Sequence, residues 1–541
     1  MKYLKTMLSK KQTPQTLPIP GKAQVRNSAG GYGFAVDDWT RLERFLILGS
    51  EGGSYYASER KLTRENADAV VRVMAVDGPR AVERIVEISE SGRAPKNDPA
   101  IFALAIAASC DNVDTRRTAL RALPRVCRIG THLFHFAEYV DGMRGWGRGL
   151  RESIARWYNE MPADKLAHQA IKYQQRDGWS HRDMLRLGHP RPENDQRRDL
   201  YHWITQGWPS VGVDPHPDPA LRTLWAFEQA KAASKVKQIV DLIVEFDLPR
   251  EAIPTQWLND AAVWEALLVR MPMTAMVRNL ATMTRVGLLD SYEAVGHVVD
   301  TLANGDKLRK ARVHPIALLS ALKTYAQGHG ERGKNTWTPV RQIVDALDGA
   351  FYKAFENVEP TGKRWLLGMD VSGSMEGGFI AGVPGLTPRI ASAAMALVTA
   401  ATEKDYRTVA FTSGNGGNWH SSTVLKELTI SPRQRLDDVL KTVSSLPFGG
   451  TDCALPMIWA REKKVNVDVF VIYTDSETWA GDIHPTQALD QYRQATGIAA
   501  KLIVVGMVSN GFTIADPNDA GMLDVVGFDT ATPQLMADFA R

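Results

Sequence analysis

Three short stretches of this chain carry side chains that could hold a hard cation. The first is Asp370-Val371-Ser372-Gly373-Ser374, the second Gly449-Gly450-Thr451-Asp452, the third Thr474-Asp475-Ser476. Alternate side chains of an extended segment point the same way, so Asp370, Ser372 and Ser374 can converge on one point. Hydroxyls with one or two carboxylates make a weakly charged oxygen site. Such a site suits a divalent cation that keeps some of its waters, Mg²⁺ first, with Mn²⁺ or Ca²⁺ as the other candidates. The expected ligands are Asp370, Ser372, Ser374, Thr451 and Asp475. Whether Asp475 meets the metal directly or through water is open at this level. A bland alternative is that these Asp and Ser residues only cap turns.

No catalytic residue is expected in these loops. They carry no His or Lys to act as general base, and HExxH, GxxxxGK[ST], a strand-borne GxGxxG and a GxSxG elbow around Ser372 are all missing from the sequence. A divalent ion with an open position would rather capture a carboxylate from a partner. That reading gives one rival function, a metal-dependent protein-binding adhesion module without an RNA role. The other rival is an Mg²⁺-dependent nuclease on Asp370 and Asp475, which lacks a positioned base or a second metal.

The elements around these loops read as a parallel, doubly wound α/β sheet. RWLLGMD, VDVFVIYTD and KLIVVGMVS are short apolar runs, and helical patterns over 389–403, 433–444, 454–464 and 485–496 separate them. HSSTVLKELTI suggests an edge strand. Ligands in such sheets gather at the carboxyl ends of strands near the point where the strand order reverses. This domain is expected over 363–541.

The preceding part has another grammar. Residues 1–25 are polar and aperiodic and read as an extended arm. A helix follows over 37–48, capped by Asp37 or Asp38 and stopped by Gly49. Amphipathic helices then succeed one another, most clearly over 63–74, 79–89, 99–109, 113–121, 147–160, 163–174, 180–187, 219–233, 235–246 and 291–303. Paired helices without a repeated consensus suggest a degenerate solenoid of HEAT type, and an irregular helical domain would look alike.

Charge divides the chain at the same place. From Thr361 onward there are 15 Lys+Arg against 19 Asp+Glu, leaving 50 and 42 of the chain's 65 and 61 to the first 360 residues. A basic front and an acidic back suggest two units with different jobs. In the front, Arg116, Arg117, Arg121, Arg125 and Arg128 form one cluster, and Arg144, Arg148, Arg151 and Arg156 a second. The third holds Lys172, Arg176, Arg182, Arg186, His189 and Arg191. Lys172 and Arg176 are i, i+4, as are Arg182 and Arg186, so each pair is expected to share a helix face. Trp146, Trp157, Tyr158, Tyr173 and Trp179 are interleaved. Cations with aromatics suit an RNA backbone and unstacked bases. Composition does not separate this from a solvated surface with the aromatics in the core. His132 and His135 look like a metal pair, but with no acidic or sulfur ligand close in sequence they are expected to be structural.

The whole is 541 residues with 44% hydrophobic and 23% charged side chains, which excludes wholesale disorder. Three cysteines, Cys110, Cys127 and Cys453, make no CxxC pair, which fits a reducing compartment. The basic N-terminus lacks the apolar stretch of a signal peptide, and no run is long enough to span a membrane. A cytoplasmic protein is expected.

The order DxSxS, then GGTD, then TDS resembles the metal-ion-dependent adhesion site of von Willebrand factor A domains. The longer motifs RNSAGGYGFAVDDWTRLERFLILGSEGGSYY, RVCRIGTHLFHF, GWGRGLRESIARWYNE, KYQQRDGWSHRDMLRLGH, GMDVSGSM and YTDSETWAG resemble the Ro (SS-A) ribonucleoprotein family, across essentially the whole chain. That resemblance implies a TROVE module over 1–362, a ring of HEAT-like repeats, closed by a von Willebrand A-like, Rossmann-like domain over 363–541. It implies binding of small noncoding Y RNAs and of single-stranded 3′ ends of misfolded or structured RNAs. It implies a role in noncoding RNA quality control, maturation and decay with an exoribonuclease such as polynucleotide phosphorylase. It further implies a monomer with no membrane partner, and its compact length suits a bacterial member. Lys172 and Arg176 stand where the family has Y RNA or RNA-end contacts, and His189 where it has a further contact. Arg125, Arg128, Arg148, Arg182 and Arg186 complete the expected RNA-binding set. Asp370, Ser372, Ser374 and Thr451 match the family's metal positions. Gly373 stands where relatives often carry Ala, and SGNGGNW with His420 has no counterpart whose role carries over.

Overall fold

A computed structural model of the chain describes residues 12–51, 53–207, 218–311, 313–330, 334–354, 358–383, 385–413, 425–432, 434–446 and 449–541. The His420 loop therefore lies outside the described residues, apart from Ser413 at its start. The chain forms two compact units. One comprises Met1–Ala69, Arg93–Pro95 and Phe355–Arg541, the other Val70–Gly92 and Lys96–Ala354.

This division differs from the expected 1–362 and 363–541, and main-chain pairing is the reason. Strand β1 (Gln24–Arg26) pairs antiparallel with β2 (Tyr32–Ala35), and the far side of β2 pairs with a strand near the C-terminus, Phe512 opposite Ala35 and Thr513 opposite Phe34. Helix Asp38–Leu48 follows, its first turn capped by the Asp37 carboxylate, which accepts the Thr40 N–H at 2.7 Å. Its Arg44 has no exposed surface and grips Asp524 with one Nη at 2.7 and 2.6 Å. The other Nη donates to the Phe512 carbonyl at 3.0 Å and to the Asn510 side chain at 3.0 Å. Nor are residues 12–25 a free arm: Gln15 is wholly buried in this unit.

The helical unit is built from neighbours in sequence. Helix Asp98–Ser109 packs on both Val113–Val126 and Gly130–Met143, and comparable near-neighbour packing runs on to Arg341–Lys353. Local stacking of this kind is the mark of an α-solenoid. The central helix DPAIFALAIAAS is apolar almost all round and is buried accordingly. The two helices expected over 63–74 and 79–89 are present within Glu59–Ser91, parted at Asp77, whose backbone is extended (φ −152°, ψ 81°), ahead of Pro79. Gly78 sits so close to Thr115 that a Cβ there would lie 2.0 Å from its hydroxyl oxygen. The helix expected over 163–174 stops at Lys172, and the chain turns into a hairpin of β3 (Gln175–Arg176) and β4 (Trp179–Ser180). Asp177 (φ 52°) and Gly178 (φ 81°) make its two-residue turn, both left-handed, as an Asp-Gly hairpin requires.

The α/β unit holds a six-stranded sheet of β5 (Arg364–Asp370), β6 (Asp405–Phe411), β7 (Leu425–Leu428), β8 (Val469–Thr474), β9 (Lys501–Gly506) and, after the short β10 (Phe512–Thr513), β11 (Met522–Val526). Its order is β11-β9-β8-β5-β6-β7, parallel except for the antiparallel edge strand β7. The order reverses between β5 and β8, whose carboxyl ends are Asp370 and Thr474. Leu366, Phe470, Ile472 and Leu502 lie in the core on one face.

Arg44→Ala should destabilise this unit by roughly 3–5 kcal/mol, the cost of stranding a carboxylate partner in a mostly buried ion pair. Arg44→Lys should rescue little, since one ammonium cannot replace a two-pronged grip. Denaturant unfolding of the three proteins checks both.

Candidate functional site

The structure brings the three oxygen-bearing loops together at the strand-order reversal. Asp370 is wholly buried, and its two oxygens are taken up separately. One accepts the Ser372 N–H at 2.9 Å, the other the Thr474 hydroxyl at 2.6 Å. The Ser372 and Ser374 hydroxyls are 3.1 Å apart, as expected, but a 3-10 turn over Gly373–Glu376 brings them together rather than the alternation of an extended segment. Asp475 stands near Ser374, and its Oδ1 accepts the Glu477 N–H at 3.0 Å. Gly373 N–H donates to the Gly449 carbonyl at 3.1 Å, drawing the second loop in. Thr451 then ties to the third loop: its carbonyl accepts the N–H groups of Trp479 and Ala480, both at 3.0 Å. This closeness explains the glycines of GGTD. A Cβ on Gly449 would lie 2.1 Å from the Ser413 carbonyl oxygen, and one on Gly450 2.8 Å from the Trp479 ring.

The electrostatics leave room for a cation. Burial raises the Asp370 carboxyl above the usual range. Burial, and then the charges of Asp370 and Glu477, push Asp475 well above it. Glu477 is itself raised to about 7 by burial. The Ser476 hydroxyl is buried without a partner among the described residues, on a residue held at φ 63°. The buried Arg389 guanidinium lies near Asp370 but also pairs with Glu376 at 3.0 Å, so the carboxyl groups here still outnumber it, and an oxygen-only donor set of this kind fits Mg²⁺. Sequence reasoning passed over Thr474 as a partner of Asp370, although it stands inside the third motif.

It also passed over the N-terminal segment that braces these loops. Gln15 Nε2 donates to Asp452 at 2.7 Å and to the Ile483 carbonyl at 2.8 Å, while its amide oxygen accepts from the Thr478 hydroxyl. Asn27 donates to the Thr478 carbonyl at 2.7 Å, and the Ala29 N–H to Glu477 at 3.0 Å. No periodicity marks Gln15, while Asn27 and Ala29 stand in the RNSAGGYGF motif, which signalled kinship but not this contact.

In the helical unit the eight expected RNA-facing residues fall into two groups. Arg125 is exposed but holds Glu90 at 2.7 Å with its Nε, and Arg148 holds Glu152 at 2.8 Å. Arg128 is half-buried and spends its guanidinium on the Ser89 hydroxyl at 2.9 Å and the Ser89 carbonyl at 3.1 Å. These three are already engaged. Lys172, Arg182 and Arg186 form no ion pair among the described residues. Arg182 and Arg186 do share the exposed face of helix His181–Gly188, and His189 caps that helix in a left-handed, exposed position. Lys172 and Arg176 do not share a helix face, because Tyr173 leaves helical geometry and Arg176 lies on β3. Arg176 remains exposed, 3.6 Å from its neighbour Asp177. Of the interleaved aromatics, Trp157 and Tyr158 are core residues, and Trp146, Tyr173 and Trp179 are half-buried.

The hairpin carrying Arg176 is latched to helix Gly130–Met143. His135 meets Asp177 at 2.5 Å, an acidic partner that its sequence neighbourhood did not reveal, and Trp179 Nε1 donates to Glu138 at 2.6 Å. His132 is structural, facing Asn97. Cys127 and Cys453 are buried, and Cys110 is half-exposed.

The chain was compared with known proteins. A family description of the TROVE domain matches residues 25–208 and 245–324, and one of the Ro60 von Willebrand A domain matches 364–540. A protein of Deinococcus radiodurans named RNA-binding protein RO60 is 43% identical over 100% of this chain and 99% of its own. The chain belongs to the Ro60 family. A second relative of the same name, from Caenorhabditis elegans, is 38% identical over 98% of this chain and 92% of its own. The crystal structure of the Deinococcus radiodurans RO (RSR) protein matches with a TM-score of 0.70 at 43% identity, over 93% of this chain and 99% of that one. Among the described residues no helix is long and apolar enough to cross a membrane.

Burial and the Arg128 charge lower His132 to about 4, and burial lowers His181 to about 4 as well. Both are held neutral in the fold, whereas in the unfolded chain they protonate near 6.5. The unfolded state therefore binds more protons, and the helical unit should lose about 2 kcal/mol per histidine between pH 7 and pH 5. Urea unfolding across that window tests it, and a flat profile counts against buried neutral imidazoles.

Proposed function

We propose that this member of the Ro60 family is a non-enzymatic RNA-binding protein. Its RNAs are small noncoding Y RNAs and the single-stranded 3′ ends of misfolded or structured RNAs. It works as a ribonucleoprotein in their quality control, maturation and decay, as a cytoplasmic monomer beside an exoribonuclease such as polynucleotide phosphorylase. The observation that carries this reading is the surface of Lys172, Arg176, Arg182, Arg186 and His189. It runs from a helix end through a hairpin and along one helix face, and Lys172, Arg182 and Arg186 have no ion pair among the described residues. Full-length relatives named as RNA-binding proteins support it. Cations along a backbone read phosphate and shape, so RNA geometry sets specificity more than base identity does.

The cation belongs to the same proposal. Asp370, Ser372, Ser374, Thr451 and Asp475 would hold Mg²⁺, with Mn²⁺ or Ca²⁺ as substitutes. When bound, it supplies the positive charge that these crowded carboxyls lack. The chain's own part is to keep the oxygens converged, through Thr474 on Asp370 and through Gly373 on Gly449.

Lys172→Ala combined with Arg176→Ala should weaken binding of a Y RNA-like stem and lower the slope of log affinity against log salt by about two. A filter-binding titration with unchanged affinity and slope would remove those two residues from the interface. For the cation, calorimetric titration of Mg²⁺ should show binding in the unaltered chain and none in Asp370→Asn. Equal heats in both would place the ion elsewhere.

A further inference from the structure

The helical unit contains a pocket of about 240 Å³ that shares only Lys172 with the surface just described. It opens where helices Ala163–Lys172, Val236–Phe246, Ala261–Leu268 and Met273–Arg285 meet, with the turns after the second and third. Its walls are apolar, set by Ile243, Leu267 and Met271. Its mouth carries Lys172, Arg250 and Arg270, none of which forms an ion pair among the described residues. Asn279 also lines it and spends its Nδ2 on the Ala275 carbonyl at 2.8 Å, which leaves Oδ1 as an acceptor.

This combination selects its occupant. A concave, mostly apolar chamber lined also by the half-buried His168 and by Asn279, with cations at the rim, suits a flat, mostly apolar group that trails negative charge. Asp247 and Glu251 share the mouth, so a bare anion is poorly served. A nucleobase meets the requirement: its faces lie against the aliphatic walls, an exocyclic amine donates to Asn279 Oδ1, and its phosphates stay outside at the cations. Lys172 places such a nucleotide in register with the rest of the surface, because the chain leads from it directly into the exposed hairpin of Arg176. We infer that the pocket between Lys172 and Asn279 takes one unstacked nucleobase from an RNA that lies along the Lys172–His189 surface. The inference rests on the RNA-binding reading above and adds a subsite to it.

The test uses the full chain and an RNA stem with a single-stranded extension, 2-aminopurine replacing one base at a time along the extension. One position should change emission on binding. Ala275→Trp, which fills the pocket from a half-exposed wall position, should abolish that change and weaken this RNA about tenfold, the share expected of one sheltered base. The blunt stem should bind as before. Arg270→Ala, at an exposed rim position, should weaken the extended RNA by about threefold, one phosphate contact's worth, without touching the packing. Binding of the extended RNA that needs Lys172 yet is unchanged in both variants overturns the subsite while keeping the RNA-binding reading. That is also the outcome if the pocket serves a partner protein's apolar side chain. No RNA binding by the unaltered chain overturns both.

Discussion

A carboxylate with no access to water sets the terms for the α/β unit. Asp370 ends the strand beside the strand-order reversal, wholly buried. A buried carboxylate must be hydrogen-bonded, or it forfeits several kcal/mol of hydration. One oxygen finds the Ser372 N–H, which bends the following loop back on the strand, and the other finds the Thr474 hydroxyl, which locks β5 to β8 at their ends. From these bonds the rest follows. Ser374 comes beside Ser372, Asp475 beside Ser374, and Gly449 beneath Gly373. The same closeness that satisfies Asp370 crowds it with a second carboxyl group, and that crowding makes a cation the fitting completion.

Residues 12–51 take part in the same network. Gln15 satisfies Asp452 and Thr478, Asn27 and Ala29 satisfy the loop after Asp475, and Arg44 answers Asp524. Each adds a partner to a buried or half-buried polar group, Asp452 already accepting the Ala454 N–H at 3.0 Å and Asp524 the Thr513 hydroxyl at 2.6 Å. The loops of the candidate metal centre are thus shaped partly by residues more than four hundred positions upstream. This explains how a segment that reads as polar and aperiodic, and stays mostly exposed, comes to bury Thr13 and Gln15.

The helical unit separates two uses of arginine that look alike in sequence. Arg128 ties the end of one helix to Ser89, while Arg125 and Arg148 are neutralised by Glu90 and Glu152. Arg182 and Arg186 are left facing solvent by a helix whose other side is buried through Met184 and Leu185. Clustering in sequence marks both kinds equally. Only the fold shows which cations still have charge to offer a phosphate backbone.

Sequence alone determined what is local or periodic. The doubly wound alternation, the helices over 37–48 and 485–496, the edge strand and the nearness of Asp370, Ser372 and Ser374 all follow from spacing along the chain, although a 3-10 turn rather than an extended segment brings the two serines together. The long family motifs determined the kinship. Tertiary structure decided whatever depends on pairing distant partners. It moved the N-terminal residues into the α/β unit, because β2 needs β10 for its free edge. It ended the helix at Lys172, because Asp177 and Gly178 prefer a left-handed turn and His135 and Glu138 hold the hairpin that results. It sorted Arg125 and Arg128 from the free arginines, because Glu90 and Ser89 of another helix reach them, whereas the Arg148–Glu152 pair is an i, i+4 contact within one helix. Backbone preference is written residue by residue, but the satisfaction of a buried charge is a property of the places that two distant segments come to share.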